Sequence, residues 1–290
     1  MKKIIILITV VTLLICLCSC SKNAEHFDIV ATTLPVYEFT TRLCSGTDLS
    51  VGKLIAENVS CLHDYTLQVQ QMRILEDADT IVISGAGFES FLDDILSDHI
   101  TIDASANISL LGCSVDHEEA HEHEHEYDPH IWLSPSNAKA MATNIYNGLT
   151  LKYPQHKAIF EKNLDALQIE LDELVTYASV QLESLSNKEM ITFHDGFQYM
   201  ADALGLTIIH TVEEESGSEA SAAELIELIN LVNNNNLPAI FIEKNGSDSA
   251  AKIISRETGI KIYTLDMAVA GNSYFDAMYH NIDTLKEALE

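Results

Sequence analysis

The stretch HEEAHEHEHEYDPHIW, residues 117–132, sets His117, His121, His123, His125 and His130 among glutamates and ends on the chain's one tryptophan. Imidazole and carboxylate are donors that divalent cations accept, so metal binding is the chemistry this composition offers. The run divides at Tyr127. Residues 117–126 have no apolar periodicity and read as a loop at the mouth of a cleft, where His117, His121, His123 and His125 would hold metal loosely. His130 differs, because it stands in DPHIW directly before a helix that opens at Ser134 and Pro135. Three more candidates follow strand-like runs, where an open α/β sheet exposes its ligand crevice. His63 comes after DLSVGKLI across a short loop, His194 after MITF, and Asp266 ends IKIYTL. Glu243, at the end of AIFIE, reaches a comparable position as a possible extra ligand. The intervals of 67, 64 and 72 residues match no local metal motif, so spacing alone does not join these four residues into one site.

The elements that must position them alternate. DIVATT, DLSVGKLI, DTIVIS and ITID read as strands, separated by helical PVYEFTTRLCSG, TLQVQQMRILEDA and FESFLDDILS. MITF, LTIIHT, AIFIE and IKIYTL repeat the pattern, with a capping box at Ser221 and Glu224 opening one of the helices between them. The expected fold is therefore α/β: two βα-repeat lobes with mostly parallel sheets. Between them, Phe160, Leu164, Leu167, Leu171, Leu174, Ala178, Leu182 and Leu185 recur at steps of three and four. That period describes one rigid amphipathic helix of about 32 residues, roughly 48 Å long, joining the lobes as a strut. The competing use of such a stripe, a coiled-coil seam, lacks flanking charge pairs, and a monomer is expected. The layout is a leader over 1–19, a first lobe over 20–153 carrying loop 117–126, a connecting helix over 154–187 and a second lobe over 188–290.

Met1, Lys2 and Lys3, a short apolar run and then LCSC have the order of a secretory signal. Leu17 and Ser19 before Cys20 resemble the lipobox of bacterial lipoproteins, which implies cleavage there, a lipid anchor on Cys20 and an extracytoplasmic location at the cell membrane. With 44 acidic against 16 basic residues the net charge is −28, which excludes nucleic acid as a partner and concentrates cations near the surface. Once Cys20 is acylated, Cys44, Cys61 and Cys113 remain, an odd count. Cys44 and Cys61 would close a short loop as a disulfide, and buried free thiols are the alternative.

Several segments together carry a resemblance. SCLHDYTL, LEDADTIVISGAGFESFL, DPHIWLSPSNAKAMA, ITFHDGFQYMADALGL, ETGIKIYTLD and SYFDAMYHNIDTLKEAL look, in this order, like the successive signatures of the solute-binding lipoproteins of zinc and manganese ABC importers. The resemblance spans nearly the whole mature chain. It implies that His63, His130 and His194 are imidazole ligands and Asp266 the carboxylate ligand of a metal held in the cleft between the lobes. It also implies an ABC permease and its ATPase as partners. Manganese-binding members usually carry a glutamate where His194 stands, so Zn2+ is the implied cargo, with Mn2+ or Fe2+ less favoured. Cys61 and Leu62 stand where the family commonly has proline before the first ligand loop. Adhesin or zinc-buffer roles are the competing interaction readings for such a surface protein. Two enzyme-like patterns fail. GAGFES lacks the third glycine of a dinucleotide fingerprint because Ser90 occupies that place. HDG at 194–196 suggests a metallohydrolase, but four protein ligands would close the position that catalysis needs open.

Overall fold

The computed structural model describes residues 26–56, 59, 62, 65–97, 99–112, 127–212 and 220–290. Two four-stranded parallel sheets form the frame, with orders β2-β1-β3-β4 and β6-β5-β7-β8. In the first, β1 (Ile29–Ala31) lies between β2 (Val51–Lys53) and β3 (Thr80–Ile83), and β4 (Thr101–Asp103) closes the edge. In the second, β5 (Glu189–Thr192) lies between β6 (Thr207–Thr211) and β7 (Ala239–Glu243), and β8 (Lys261–Leu265) closes the edge. The chain thus builds the same order twice. Each sheet reverses direction of winding beside its second-placed strand, β1 or β5, and a parallel sheet leaves a crevice at the carboxyl ends of strands at such a point.

The helices follow local signals. Helix α1 (Leu34–Leu43) carries Pro35 in its first turn, and α2 (Val69–Glu76) begins with a capping box between Gln68 and Gln71. FESFLDDILS yields less helix than its pattern promises, a 3₁₀ turn at Ser90–Leu92 and a single turn, α3 (Asp93–Leu96). Its preceding loop explains the loss. Gly85, Ala86 and Gly87 all have positive φ, and Glu89 turns inward to accept hydrogen bonds instead of continuing a helix.

Helix α4 (Pro135–Lys152) opens where expected, with the Ser134 hydroxyl accepting from Asn137 N. Helix α5 (Lys157–Leu182) has 26 residues, about 39 Å, and a 3₁₀ turn at Pro154–His156 replaces its expected first residues. Its apolar stripe, Phe160, Leu167, Leu171, Leu174, Ala178 and Leu182, is buried against α1, α4 and the last helix. Helices α6 (Gln198–Leu204), α7 (Ala222–Asn235), α8 (Ser249–Thr258) and α9 (Tyr274–Leu289) complete the second half. The capping box of Ser221 and Glu224 is formed, and α7 ends at Asn236 with φ 50°, a left-handed stop that asparagine tolerates.

One hydrophobic core runs through both halves. It joins Ile29, Phe39, Phe88 and Trp132 to Leu265, Tyr274 and Ile282. A smaller core of Ile191, Leu228, Val232, Ile240 and Ile254 lies beneath α7 and α8. Among the described residues no helix is long and apolar enough to cross a membrane.

Candidate metal centre

The second sheet's crevice holds His194, two residues beyond β5, and Glu243, the last residue of β7. His194 Nδ1 lies 3.7 Å from Glu243 Oε2, with both side chains mostly buried. His130 arrives from the first half, as the residue before the 3₁₀ turn Ile131–Leu133 that leads into α4. It is completely buried. Asp128 fixes it twice, its Oδ1 accepting from His130 N at 2.9 Å and from the ring Nδ1 at 2.8 Å. A carboxylate on Nδ1 keeps the proton there and leaves Nε2 with the lone pair that a metal needs.

Aromatic rings wall His130 into one orientation. Phe88 and Trp132 meet it edge-on, with centroids at 5.4 and 5.5 Å. The third ring is His194 itself, 5.5 Å away and nearly perpendicular at 84°. Gly196 permits this approach. A Cβ at that position would lie 2.9 Å from His194 Cδ2, 3.0 Å from His130 Cε1 and 2.5 Å from Met267 Cε. In HDG the glycine therefore makes room between the rings, while Asp195 Oδ1 accepts from Gln198 Nε2 at 3.0 Å.

Asp266 follows β8, and its neighbour Met267 reaches the same spot beside Gly196. The carboxylate is already engaged: Oδ1 accepts from Ala268 N at 2.9 Å and Oδ2 from Lys244 Nζ at 2.7 Å. Buried Asn281 clamps its backbone at both N and O. The structure thus brings together His130, His194, Asp128 and Glu243, and sets Asp266 on an ammonium. Among the described residues no group of three or more histidines, cysteines or carboxylates forms a ready ligand cluster.

His63, Cys61, Cys20 and the loop histidines His117, His121, His123 and His125 lie outside the described residues. Leu62 is buried, and its carbonyl accepts from Tyr65 N at 3.0 Å. Cys44 is a buried free thiol, and burial pushes its pKa up to about 12, so it is inert as a nucleophile.

Sequence reasoning named His130, His194 and Glu243 but missed Asp128 and Glu89. Asp128 stood in view two residues before His130, a spacing that a turn can fold back onto the ring. Glu89 gave no such signal. It is fully buried at the matching crevice of the first sheet, where Thr32 Oγ1 donates at 2.6 Å, Ser84 N at 2.7 Å and Gly85 N at 3.0 Å. Burial raises its pKa to about 7 against the lowering effect of those donors. It secures the turn that carries Phe88, and Phe88 packs on His130.

Comparison with known proteins gives the family. The family model described as zinc-uptake complex component A, periplasmic, matches residues 29–288. The chain belongs to this family. It is the family of zinc-binding solute receptors of ABC importers, and the resemblance carried by the sequence motifs is borne out. The zinc-binding lipoprotein AdcA of Streptococcus pneumoniae is 31% identical over an alignment covering 100% of this chain and 62% of AdcA. This chain therefore spans less than two thirds of that relative. The crystal structure of the Zn(II)-bound ZnuA-like domain of AdcA superposes with a TM-score of 0.77 at 29% identity, covering 91% of this chain and 99% of the domain. That of ZnuA gives 0.79 at 28%, covering 92% of this chain and 100% of ZnuA. The paired parallel sheets and long helix expected from the sequence are features this chain shares with those structures.

Proposed function

We propose that this chain is the extracytoplasmic receptor of an ABC importer, capturing Zn2+ between its two halves and delivering it to a membrane permease driven by an ATPase. The observation that carries the reading is the meeting of buried His130 and mostly buried His194, one from each half, with a carboxylate facing Nδ1 of each ring. In this reading the two Nε2 atoms bind the metal, Asp266 supplies the carboxylate and His63 the third imidazole. Such a nitrogen-rich set suits zinc better than manganese. Glu243 then acts through His194 and is not itself a ligand. Four protein ligands leave no open position for catalysis, in keeping with a transport receptor. A lipid anchor on Cys20 would hold the receptor at the membrane.

The test is competition between metal-free protein and a chromophoric chelator at neutral pH. One tightly held Zn2+ per chain is expected, and His130→Ala and His194→Ala should each lose it. Wild-type affinity in both variants would overturn the site. Asp128→Asn should weaken binding by about 10- to 100-fold, the usual effect of removing a carboxylate behind a ligating histidine. Deleting 117–126 should leave the tight site intact and remove only additional, weaker zinc.

A further inference from the structure

Lys244 is the first residue after β7 and Asp266 the first after β8. The register pairs Glu243 with Leu265, so these two residues stand side by side at the sheet's carboxyl edge. Lys244 N donates to Leu265 O at 2.8 Å, which fixes the lysine backbone at that edge, and its Nζ reaches Asp266 Oδ2 at 2.7 Å. The two ends of this ion pair are unlike. The aspartate is 13% exposed, and its backbone is pinned by buried Asn281, whereas the lysine side chain is 56% exposed. One partner is therefore rigid and the other can leave into water without breaking packing.

We propose that Lys244 is a displaceable internal counter-ion that competes with the incoming metal for the Asp266 carboxylate. This rests on the proposed role of Asp266 as a ligand. Without metal, the ammonium neutralises a carboxylate that is mostly withdrawn from water. Metal entry requires Oδ2 to exchange one cation for another, and the returning ammonium assists departure. Lys244 thereby holds affinity below what the ligand set alone would give, which suits a receptor that must release its cargo.

The experiment measures zinc affinity and dissociation rate by chelator competition for five chains: wild type, Lys244→Met, Lys244→Arg, Asp266→Asn and the Lys244→Met/Asp266→Asn double variant. Lys244→Met keeps the aliphatic stem and removes the charge. Its zinc dissociation constant should fall about two- to fivefold, the scale of a largely exposed ion pair, with slower release. Lys244→Arg, which retains a cation, should return the wild-type values. In the Asp266→Asn background the effect of Lys244→Met should vanish, whereas a general loss of positive charge would persist there. An unchanged or raised dissociation constant in Lys244→Met, or an equal effect in both backgrounds, overturns the proposal. If Asp266→Asn itself binds zinc like the wild type, it is the assignment of Asp266 as a ligand that fails.

Discussion

At the scale of single residues, the proposed site would depend on groups that do not themselves touch the metal. Gly196 is one. Its backbone is ordinary, so only the space between His130, His194 and Met267 demands glycine. Gly196→Ala should push the rings apart by a few tenths of an ångström, and zinc affinity should fall at least about tenfold while circular dichroism stays native. Wild-type affinity would show that the rings can yield. Glu89 makes a prediction about pH. Its pKa rises from 4.5 to about 7 through burial, so the folded chain keeps a proton that the unfolded chain has released. This contribution to stability is fully present below pH 4.5 and is lost as pH rises through about 7. The integrated effect is at most roughly 3 kcal/mol. Glu89→Gln cannot ionise, so its stability deficit relative to wild type in denaturant titrations should narrow between pH 4.5 and 8. A constant deficit would mean that Glu89 is charged throughout.

At the scale of elements, capping chemistry is largely separable from the site. Ser221→Ala removes a formed capping box on exposed α7 and should cost about 1 kcal/mol in a chemical melt without changing zinc affinity. The same local chemistry explains what could be read from the sequence. Every strand core was visible as a β-branched run, and α4 and α7 were visible through Ser134 with Pro135 and Ser221 with Glu224, because those signals act within a few residues. The bounds of α5 were overdrawn because Leu185 continues its stripe past the last helical turn and is buried all the same. The weak helix after β3 was overdrawn because its glutamate is taken by the backbone of Ser84 and Gly85. At the site, strand ends pointed to His194 and Asp266 directly. The Lys244 pair was not legible, since it depends on the register of β7 against β8, which no local pattern states.

At the scale of the whole molecule, the metal would bridge halves that are already fastened. Among the described residues, Leu111 N donates to Tyr199 Oη across them at 2.8 Å, and five further hydrogen bonds cross: Leu34 N to Val269 O and Trp132 Nε1 to Met267 O at 2.8 Å, Lys53 Nζ to Gly271 O at 2.6 Å, Tyr274 Oη to Trp132 O at 2.8 Å and Tyr274 N to Glu38 Oε2 at 2.5 Å. These five tie the segment after Asp266 to the first half. The shared core adds to this, because swinging the halves apart would bare Phe39, Trp132 and Tyr274 at roughly 2–3 kcal/mol each. Wide closure of the kind that hinged receptors show would have to overcome these contacts, so zinc should order local loops and the Asp266 carboxylate with only a slight tilt. Small-angle scattering tests this on the full chain. Against a radius of gyration of about 19 Å for a compact chain of this size, zinc should change the value by only a few per cent. Tyr274→Phe, which removes the bond to Trp132, should cost about 1 kcal/mol and enlarge the zinc-dependent change if that bond restrains the halves. A large compaction in the wild type would show instead that the interface opens in solution.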